Sequence, residues 1–432
     1  MEIRPRCYDK VLKMLEKGID LPNPLTVDIG EEVDVGRISG RDVTIYPGCR
    51  IYGRRTVISS GCRIGREGPV TIEDCQLGRG VELKGGYFSR SVFLEKASMG
   101  LGAHVREGSI LEEEAGGAHC VGLKQTILFP FVTLGSLVNF CDCLMAGGTS
   151  RRNHSEVGSS YIHFNFTPDG DKSTPSLIGD VPRGVMLNQP PIFLGGQGGM
   201  VGPLRMGFGT VVAAGTVLRQ DCLEDNRLVT AGAGPGSVRE YEPALYPGLE
   251  RIVRNNLIYL ANLAALKEWY VHVRRPFFES EEFGEIIHAG LLDKLSLAVK
   301  ERLKRLEALA ERVSRTVEAG PGEDAGLRRA LAENFHRIAD IFMGGADEDP
   351  QVLKYRGAFL EGLHGTRQES GKGYVEVIQA LPAGISSKGT RWLESVVASL
   401  CRKASEAVPG IEVSEGGQGR GSTHVCQGGS NG

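Results

Sequence analysis

Leu194 to Asp221 reads LGGQGGMVGPLRMGFGTVVAAGTVLRQD, and its aliphatic residues Leu194, Met200, Met206, Val212 and Leu218 recur in steps of six. That step matches neither the 3.6-residue period of a helix nor the two-residue period of an ordinary strand. It is the beat of a parallel β-helix built from hexapeptides, each a short strand and a tight turn with its aliphatic side chain inside the coil. Glycine after the aliphatic residue, as in Leu194-Gly195 and Met206-Gly207, suits turns whose backbone angles a Cβ opposes. One coil cannot bury its own core, so further coils must stack on it.

Toward the N-terminus the same step returns in pieces: Ile29-Gly30 and Val35-Gly36, then Ile45, Ile51 and Val57, then Ile58, Ile64-Gly65 and Val70. It continues through Leu77-Gly78 and Leu83, Met99-Gly100, Val105 and Leu111, Val121-Gly122 and Ile127, and Leu128, Leu134-Gly135 and Phe140. The phase slips by a residue several times, which predicts irregular coils with small protruding loops. With three units to a triangular coil, about ten coils fit between Leu25 and Gly236. The expected fold is mainly β, a left-handed parallel β-helix over residues 25–239, followed by an α-helical C-terminal region.

The flanking segments read differently. Residues 1–24 hold a short helix at about Arg6 to Lys17, with Val11, Leu12 and Leu15 on one face, and a linker in which Pro22 and Pro24 prevent its continuation. Residues 240–412 are helical in character. Leu249 to Arg275 carries a stripe of Ile252, Leu257, Leu260, Leu263 and Leu266. Further helices are predicted from about Phe283 to Val317 and Glu323 to Phe342, with Gly320-Pro321-Gly322 between them. Val352 to Val408 reads as mixed helix and loop, with Trp269, Tyr270, Phe277 and Phe278 available for a core or an interface. Residues 413–432, rich in glycine and poor in apolar side chains, are expected to be disordered.

Composition narrows the function classes. Sixty glycines in 432 residues is about twice the average share, as a turn-dense solenoid requires. A net charge of -3 gives no long-range attraction to nucleic acid or to an anionic membrane. No apolar run reaches the roughly 18 residues a membrane span needs, and no secretory signal pattern opens the chain. Ten cysteines without a CxxC pair read as reduced thiols, so a cytoplasmic protein is expected.

The six-residue beat breaks between Gly147 and Pro191, where two histidines, paired arginines and several acidic residues gather. An irregular polar loop on a regular scaffold is a common place for function. Within and beyond it, two segments resemble the C-terminal acetyltransferase domain of the bacterial bifunctional enzyme that makes UDP-N-acetylglucosamine from glucosamine 1-phosphate. The first is Asn165-Phe166 followed by Asp169-Gly170, Lys172 and Ile178-Gly179-Asp180; the second is Leu194 to Asp221 with its AAGT ending, Ala213 to Thr216. The resemblance places the chain among the hexapeptide-repeat acyltransferases. It implies a homotrimer with active sites between neighbouring subunits, acetyl coenzyme A or another acyl coenzyme A as co-substrate, and an amino sugar phosphate or nucleotide sugar as acceptor. It implies no metal.

The implied roles fall on particular residues. Gly195, Gly196, Ala213 and Ala214 would let a pantetheine arm approach the backbone, or are simply tight turns of the coil. The family places its catalytic histidine just after an Ala-Gly pair, whereas here Ala146-Gly147 is followed by Gly148. His154 becomes the candidate base, with Glu156 as its orienting carboxylate and Asn165 as a donor to the acyl carbonyl or a substrate hydroxyl. Arg151, Arg152 and Lys172 suit a phosphate, and His163 and Phe166 would contact the acceptor; a solvated basic loop is the plainer reading of the three cations. The family's nucleotide-binding front domain, with its glycine-rich phosphate loop, has no counterpart in these residues, so uridylyl transfer is not expected. Two other classes stay open: a non-catalytic trimeric scaffold with a helical partner-binding region, and a γ-carbonic-anhydrase-like metal enzyme using His104, His119, His154 and His163, although its close histidine pair is spaced differently.

Overall fold

A computed structural model describes residues 6–167, 170, 172–230, 246, 248–315, 324–344, 349–370 and 373–413. The sequence from Asp28 to Val229 winds into a parallel β-solenoid with three faces, two of ten strands and one of eight. Face one starts with Asp28–Ile29, face two with Val57–Ile58 and face three with Thr44–Ile45, and each coil passes through them in the order one, two, three.

The six-step is the walk around this triangle. Leu194 lies on face three, Met200 on face one, Met206 on face two, and Val212 returns to face three directly against Leu194. Leu218 then pairs with Met200. All five side chains point inward and are buried. Truncating such a rung residue to alanine costs about 2–5 kcal/mol, because its neighbours are held by the ladders above and below and cannot close the void.

The helix ahead of the solenoid, α1 (Tyr8–Glu16), buries Val11 and Met14, whereas Leu12 and Leu15 are exposed. The expected apolar face is therefore displaced. Lys10 and Lys17 set the helix's orientation by donating to the Val33 and Ile38 carbonyls of the first coil. A one-turn helix, α2 (Val181–Gly184), sits in the corner between faces two and three, with the Asp180 carboxylate capping it by accepting from the Arg183 amide at 2.8 Å.

The C-terminal region begins with α3 (Leu249–Trp269), a π-helical segment Tyr270–Arg274, α4 (Arg275–Phe278) and α5 (Gly284–Ser314). It continues with α6 (Asp324–Gly344), α7 (Pro350–Ser370), α8 (Tyr374–Gln379) and α9 (Ala383–Ala407). Helix α3 is buried on nearly every side because it is sandwiched, with α5 and α9 on one flank and the solenoid on the other. Face two is the face covered: α5 packs on its strands Gln76–Leu77 and Val92–Phe93, and α3 on Ser176–Ile178.

The mixed helix and loop expected over Val352 to Val408 is instead two long helices and a short one. Two of its glycines serve close packing between the helices. A Cβ on Gly389 would lie 2.6 Å from the Met186 side chain, and one on Gly362 would lie 2.7 Å from Ile385. Trp269, Phe359 and Trp392 stack with ring centroids 5.6 and 5.9 Å apart, so the aromatic residues around Trp269 form a core between helices. The disorder expected over residues 413–432 is not met at Val413, which is buried with its amide donating to the Ser405 hydroxyl at 3.1 Å; residues 414–432 lie outside the described residues, as do Asp169 and the Gly320-Pro321-Gly322 separator.

Candidate functional site

The interruption of the six-step proves to be three excursions at two corners. Between faces two and three, residues 146–155 form a two-stranded antiparallel hairpin, Gly148–Ser150 against Asn153–His154, and one coil later residues 180–191 carry α2. Between faces one and two, the segment after Phe164 leaves the solenoid and rejoins it at Ser176.

In the hairpin, Gly148 pairs directly across from His154. The Gly148 backbone has φ +97°, and a Cβ there would come within 2.6 Å of the His154 Cα. Glycine at 148, directly after the Ala146-Gly147 pair, is thus a requirement of the hairpin, which also carries His154. The Nδ1 of His154 lies 2.9 Å from the Arg151 carbonyl. A carbonyl only accepts, so the proton is assigned to Nδ1, leaving the Nε2 lone pair free for base chemistry. Glu156 approaches that second nitrogen, with Oε2 3.8 Å from Nε2. The carbonyl therefore orients the ring, in place of the carboxylate expected for that task, and Glu156 is placed to stabilise an imidazolium.

The hairpin's cations divide. Arg151 donates to the Glu114 carbonyl at 3.0 Å and to Thr133 Oγ1 at 2.9 Å, which ties the hairpin to the solenoid corner. Arg152 is exposed at the tip. The helical region touches the same hairpin, since Gln379 of α8 donates to the Thr149 carbonyl at 2.6 Å.

Asn165, Phe166 and Lys172 belong to the other corner. Within one chain face two separates them from His154, and the fold does not bring the two sets together. The Asn165 amide donates to Asp142 Oδ2 at 3.2 Å. Phe166 is 67% exposed, with the Lys172 ammonium 5.9 Å from its ring centroid. His163 is inside the coil: it pairs with Met200 in the ladder of face one, is 2% exposed, and its Nε2 meets the Ser176 hydroxyl at 2.8 Å. Burial lowers its pKa to about 4, so it is a neutral core residue at ordinary pH, with no open path to a substrate.

Gly195, Gly196, Ala213 and Ala214 line the third corner, between faces three and one. A Cβ on Gly195 would lie 2.4 Å from the Ala214 nitrogen, and one on Gly196 would lie 2.8 Å from the Ser159 carbonyl. The glycines are needed for coil stacking, and with Gly158 below them they leave a strip of corner without large side chains. A separate cleft of about 670 Å³ lies toward the N-terminal coils, between Arg79, Lys96 and Glu113 of the solenoid and Phe277, Glu281 and Tyr374 of the helices. Neither His154 nor Asn165 lines it.

Of the four histidines considered as metal ligands, His119 has its Nδ1 2.8 Å from the Ser136 hydroxyl and His104 packs edge-on to Tyr87. Among the described residues no three or more His, Cys, Asp or Glu side chains converge as a metal site would require. No helix of the described residues is long and apolar enough to cross a membrane.

Known proteins resemble the solenoid half. Over 212 residues, 49% of this chain, it is 29% identical to the bifunctional protein GlmU of Thermotoga maritima. The solenoid is similar to GlmU. The GlmU of Fervidobacterium nodosum is 27% identical over 213 residues, and that of a Janthinobacterium species 25% identical over 224. The chain covers 42%, 42% and 43% of these relatives, less than half of each. GlmU is the bifunctional enzyme that the Asn165 and Leu194 segments resemble. No family model matches the chain.

Sequence reasoning missed Asp142 and Arg302. They form a buried ion pair at 2.6 Å beside Asn165, 160 residues apart in the chain. The only local signal was an acidic residue between two cysteines in a strand pattern, Cys141-Asp142-Cys143.

Proposed function

We propose that this chain is an acyltransferase of amino sugar metabolism, moving an acetyl or other acyl group from coenzyme A to the amine of an amino sugar phosphate or nucleotide sugar. The observation that carries the reading is the match of the solenoid half to GlmU across several organisms. The hairpin adds a base, because it presents His154 with its Nε2 lone pair free.

In this reading the acceptor amine attacks the thioester carbonyl carbon while His154 Nε2 takes the proton the amine loses; the tetrahedral intermediate then breaks its C–S bond, and the imidazolium returns that proton to the sulfur, so coenzyme A leaves as its thiol. Glu156, 3.8 Å from Nε2, stabilises the imidazolium formed on the way. The acyl thioester must reach His154 at the hairpin corner, whereas Gly195, Gly196, Ala213 and Ala214 line a different corner, so close stacking of the coils is their role in this reading. The Asn165 loop, with Phe166 and Lys172, takes the acceptor, Lys172 and Arg152 serving its phosphate. Because hairpin and loop leave different corners, the reading also calls for a homotrimer in which the loop of one subunit faces the hairpin of the next. The compartment that fits is the cytoplasm, where acyl coenzyme A is made.

The test follows thiol release from acetyl coenzyme A with glucosamine 1-phosphate as acceptor, in the wild type and in His154→Ala. Loss of about 10²–10⁴-fold in kcat with an unchanged melting temperature is expected. Full turnover in the variant would remove His154 as the base. A wild type that neither turns over nor gains melting temperature with either substrate at millimolar concentration points instead to the non-catalytic scaffold, the reading that Gly148 favours.

A further inference from the structure

One guanidinium of the helical region bonds both to Asp142, the partner of Asn165, and to the backbone of Lys172. Arg302, on α5, is buried, and its Nη2 donates to Asp142 Oδ1 at 2.6 Å while Nη1 donates to the Lys172 carbonyl at 3.2 Å. The second oxygen of Asp142, Oδ2, accepts from the Asn165 amide at 3.2 Å. Two further contacts hold the same segment on the helices: the Ser173 hydroxyl donates to the Arg305 carbonyl at 2.9 Å, and Asn256 of α3 donates to the Ser173 carbonyl at 3.0 Å. Phe166 is left exposed, with the half-buried Lys172 beside its ring.

A buried ion pair is a poor way merely to attach a helix. Both ions lose their water, and a well-packed apolar replacement is often as stable or more so. An apolar contact would not, however, fix the direction of a side-chain amide. Asp142 divides its two oxygens between the guanidinium and Asn165, so the rotation of the carboxylate, and with it the amide, follows from where Arg302 stands. The same guanidinium holds the backbone at Lys172, the other end of the loop.

We propose that Arg302 is a positioning residue for the acceptor: through Asp142 and the Lys172 carbonyl it sets the loop bearing Asn165, Phe166 and Lys172, so that the helical region governs acceptor binding. This rests on the reading that the loop takes the acceptor. It gives the helices, which lie outside the region matched to GlmU, a task at the site.

The experiment uses the full chain as Arg302→Met, Arg302→Lys and Asp142→Asn. Arg302→Met keeps the stem and removes both donors. Its KM for glucosamine 1-phosphate should rise by about tenfold or more, the scale of losing a hydrogen bond to a charged group, while its KM for acetyl coenzyme A stays within about twofold. Arg302→Lys should recover part of the loss, and Asp142→Asn should resemble Arg302→Met. Hydrogen exchange over residues 159–166 and 172–178, measured without substrate, should quicken in Arg302→Met. Exchange matching the wild type, or the two KM values rising together, overturns the proposal. Should the wild type not acetylate glucosamine 1-phosphate, the acyl-transfer reading is what fails, and the exchange measurement alone decides whether Arg302 holds the loop. If Arg302→Met does not fold, Arg302→Lys read by the same exchange decides it.

Discussion

His163 takes a rung position that neighbouring coils of face one give to Phe140 and Met200. Burial is the main cause of its lowered pKa, about 4 in the fold against about 6.5 in an unfolded chain. Its stability contribution is therefore intact above about pH 6.5 and is lost as pH falls toward 4, where the unfolded chain takes up a proton that the fold refuses; the full loss is about 3 kcal/mol. Urea midpoints of His163→Leu should fall less between pH 7 and pH 4.5 than those of the wild type, and equal slopes would sink the burial argument. Gly148 makes the complementary case for a residue defined by the absence of a side chain. Gly148→Ala should cost about 1–3 kcal/mol, from a positive φ and the approach to the His154 Cα, read as a lowered melting temperature. For the same reason Gly148→His should not rescue His154→Ala, although it puts a histidine directly after the Ala146-Gly147 pair.

At the scale of elements, the helices are joined to the solenoid by charge as well as by apolar packing. In the corner between faces two and three, Tyr270 donates to Glu112, and Arg274 pairs with Glu113 at 3.1 Å and stacks 3.7 Å over the Tyr374 ring. Burial pushes the Glu112 carboxyl up to about 7, opposed by Arg274 and assisted by Glu113. A raised carboxyl contributes stability that is fully present below its unfolded pKa, near 4.5, and lost as pH rises through about 7. This slope is opposite in sign to that of His163, so the wild-type profile is a sum of the two and only the variants separate them. Glu112→Gln keeps an acceptor for Tyr270 and cannot ionise; its stability relative to the wild type should improve between pH 5 and pH 8, measured by urea denaturation at both. The solenoid was legible in the sequence because one short-range rule, an aliphatic residue about every six positions, recurs through most of its coils. The hairpin was not, since Gly148 opposite His154 is a pairing without a period, and the roles of Asp142 and Arg302 depend on a contact across 160 residues. Gly362 of α7 and Gly389 of α9 sit inside helices against Ile385, Phe359 and Met186, contacts that no local pattern in the sequence announces.

At the scale of the molecule, the three faces of the solenoid are unequal. Face two is under α3 and α5. Face three ends in a file of outward apolar side chains, Phe193 beside Val211 beside Leu228, and face one carries Ile162 and Val217 on either side of Gly199 in the corresponding coils. All five are exposed, Leu228 reaching 71%. They stand on ladders that fix their spacing, and they flank the small-residue corner at Gly195 and Ala213. Two adjacent apolar faces meeting at one corner, with the third covered, is the surface a three-fold assembly needs, since each subunit must offer one patch to each of two neighbours. Such closure also suits a site whose hairpin and loop lie at different corners of one chain. Sedimentation should therefore give about three times the 46.6 kDa chain mass. Val211→Asp or Val217→Asp, each placing a charge on an outward position that leaves the coil interior untouched, should yield monomers that keep the wild-type β-solenoid circular dichroism. The same monomers should lose acyl transfer together with assembly. A monomeric wild type, or a monomeric variant with undiminished turnover, would remove the shared site while leaving the fold of the single chain as described.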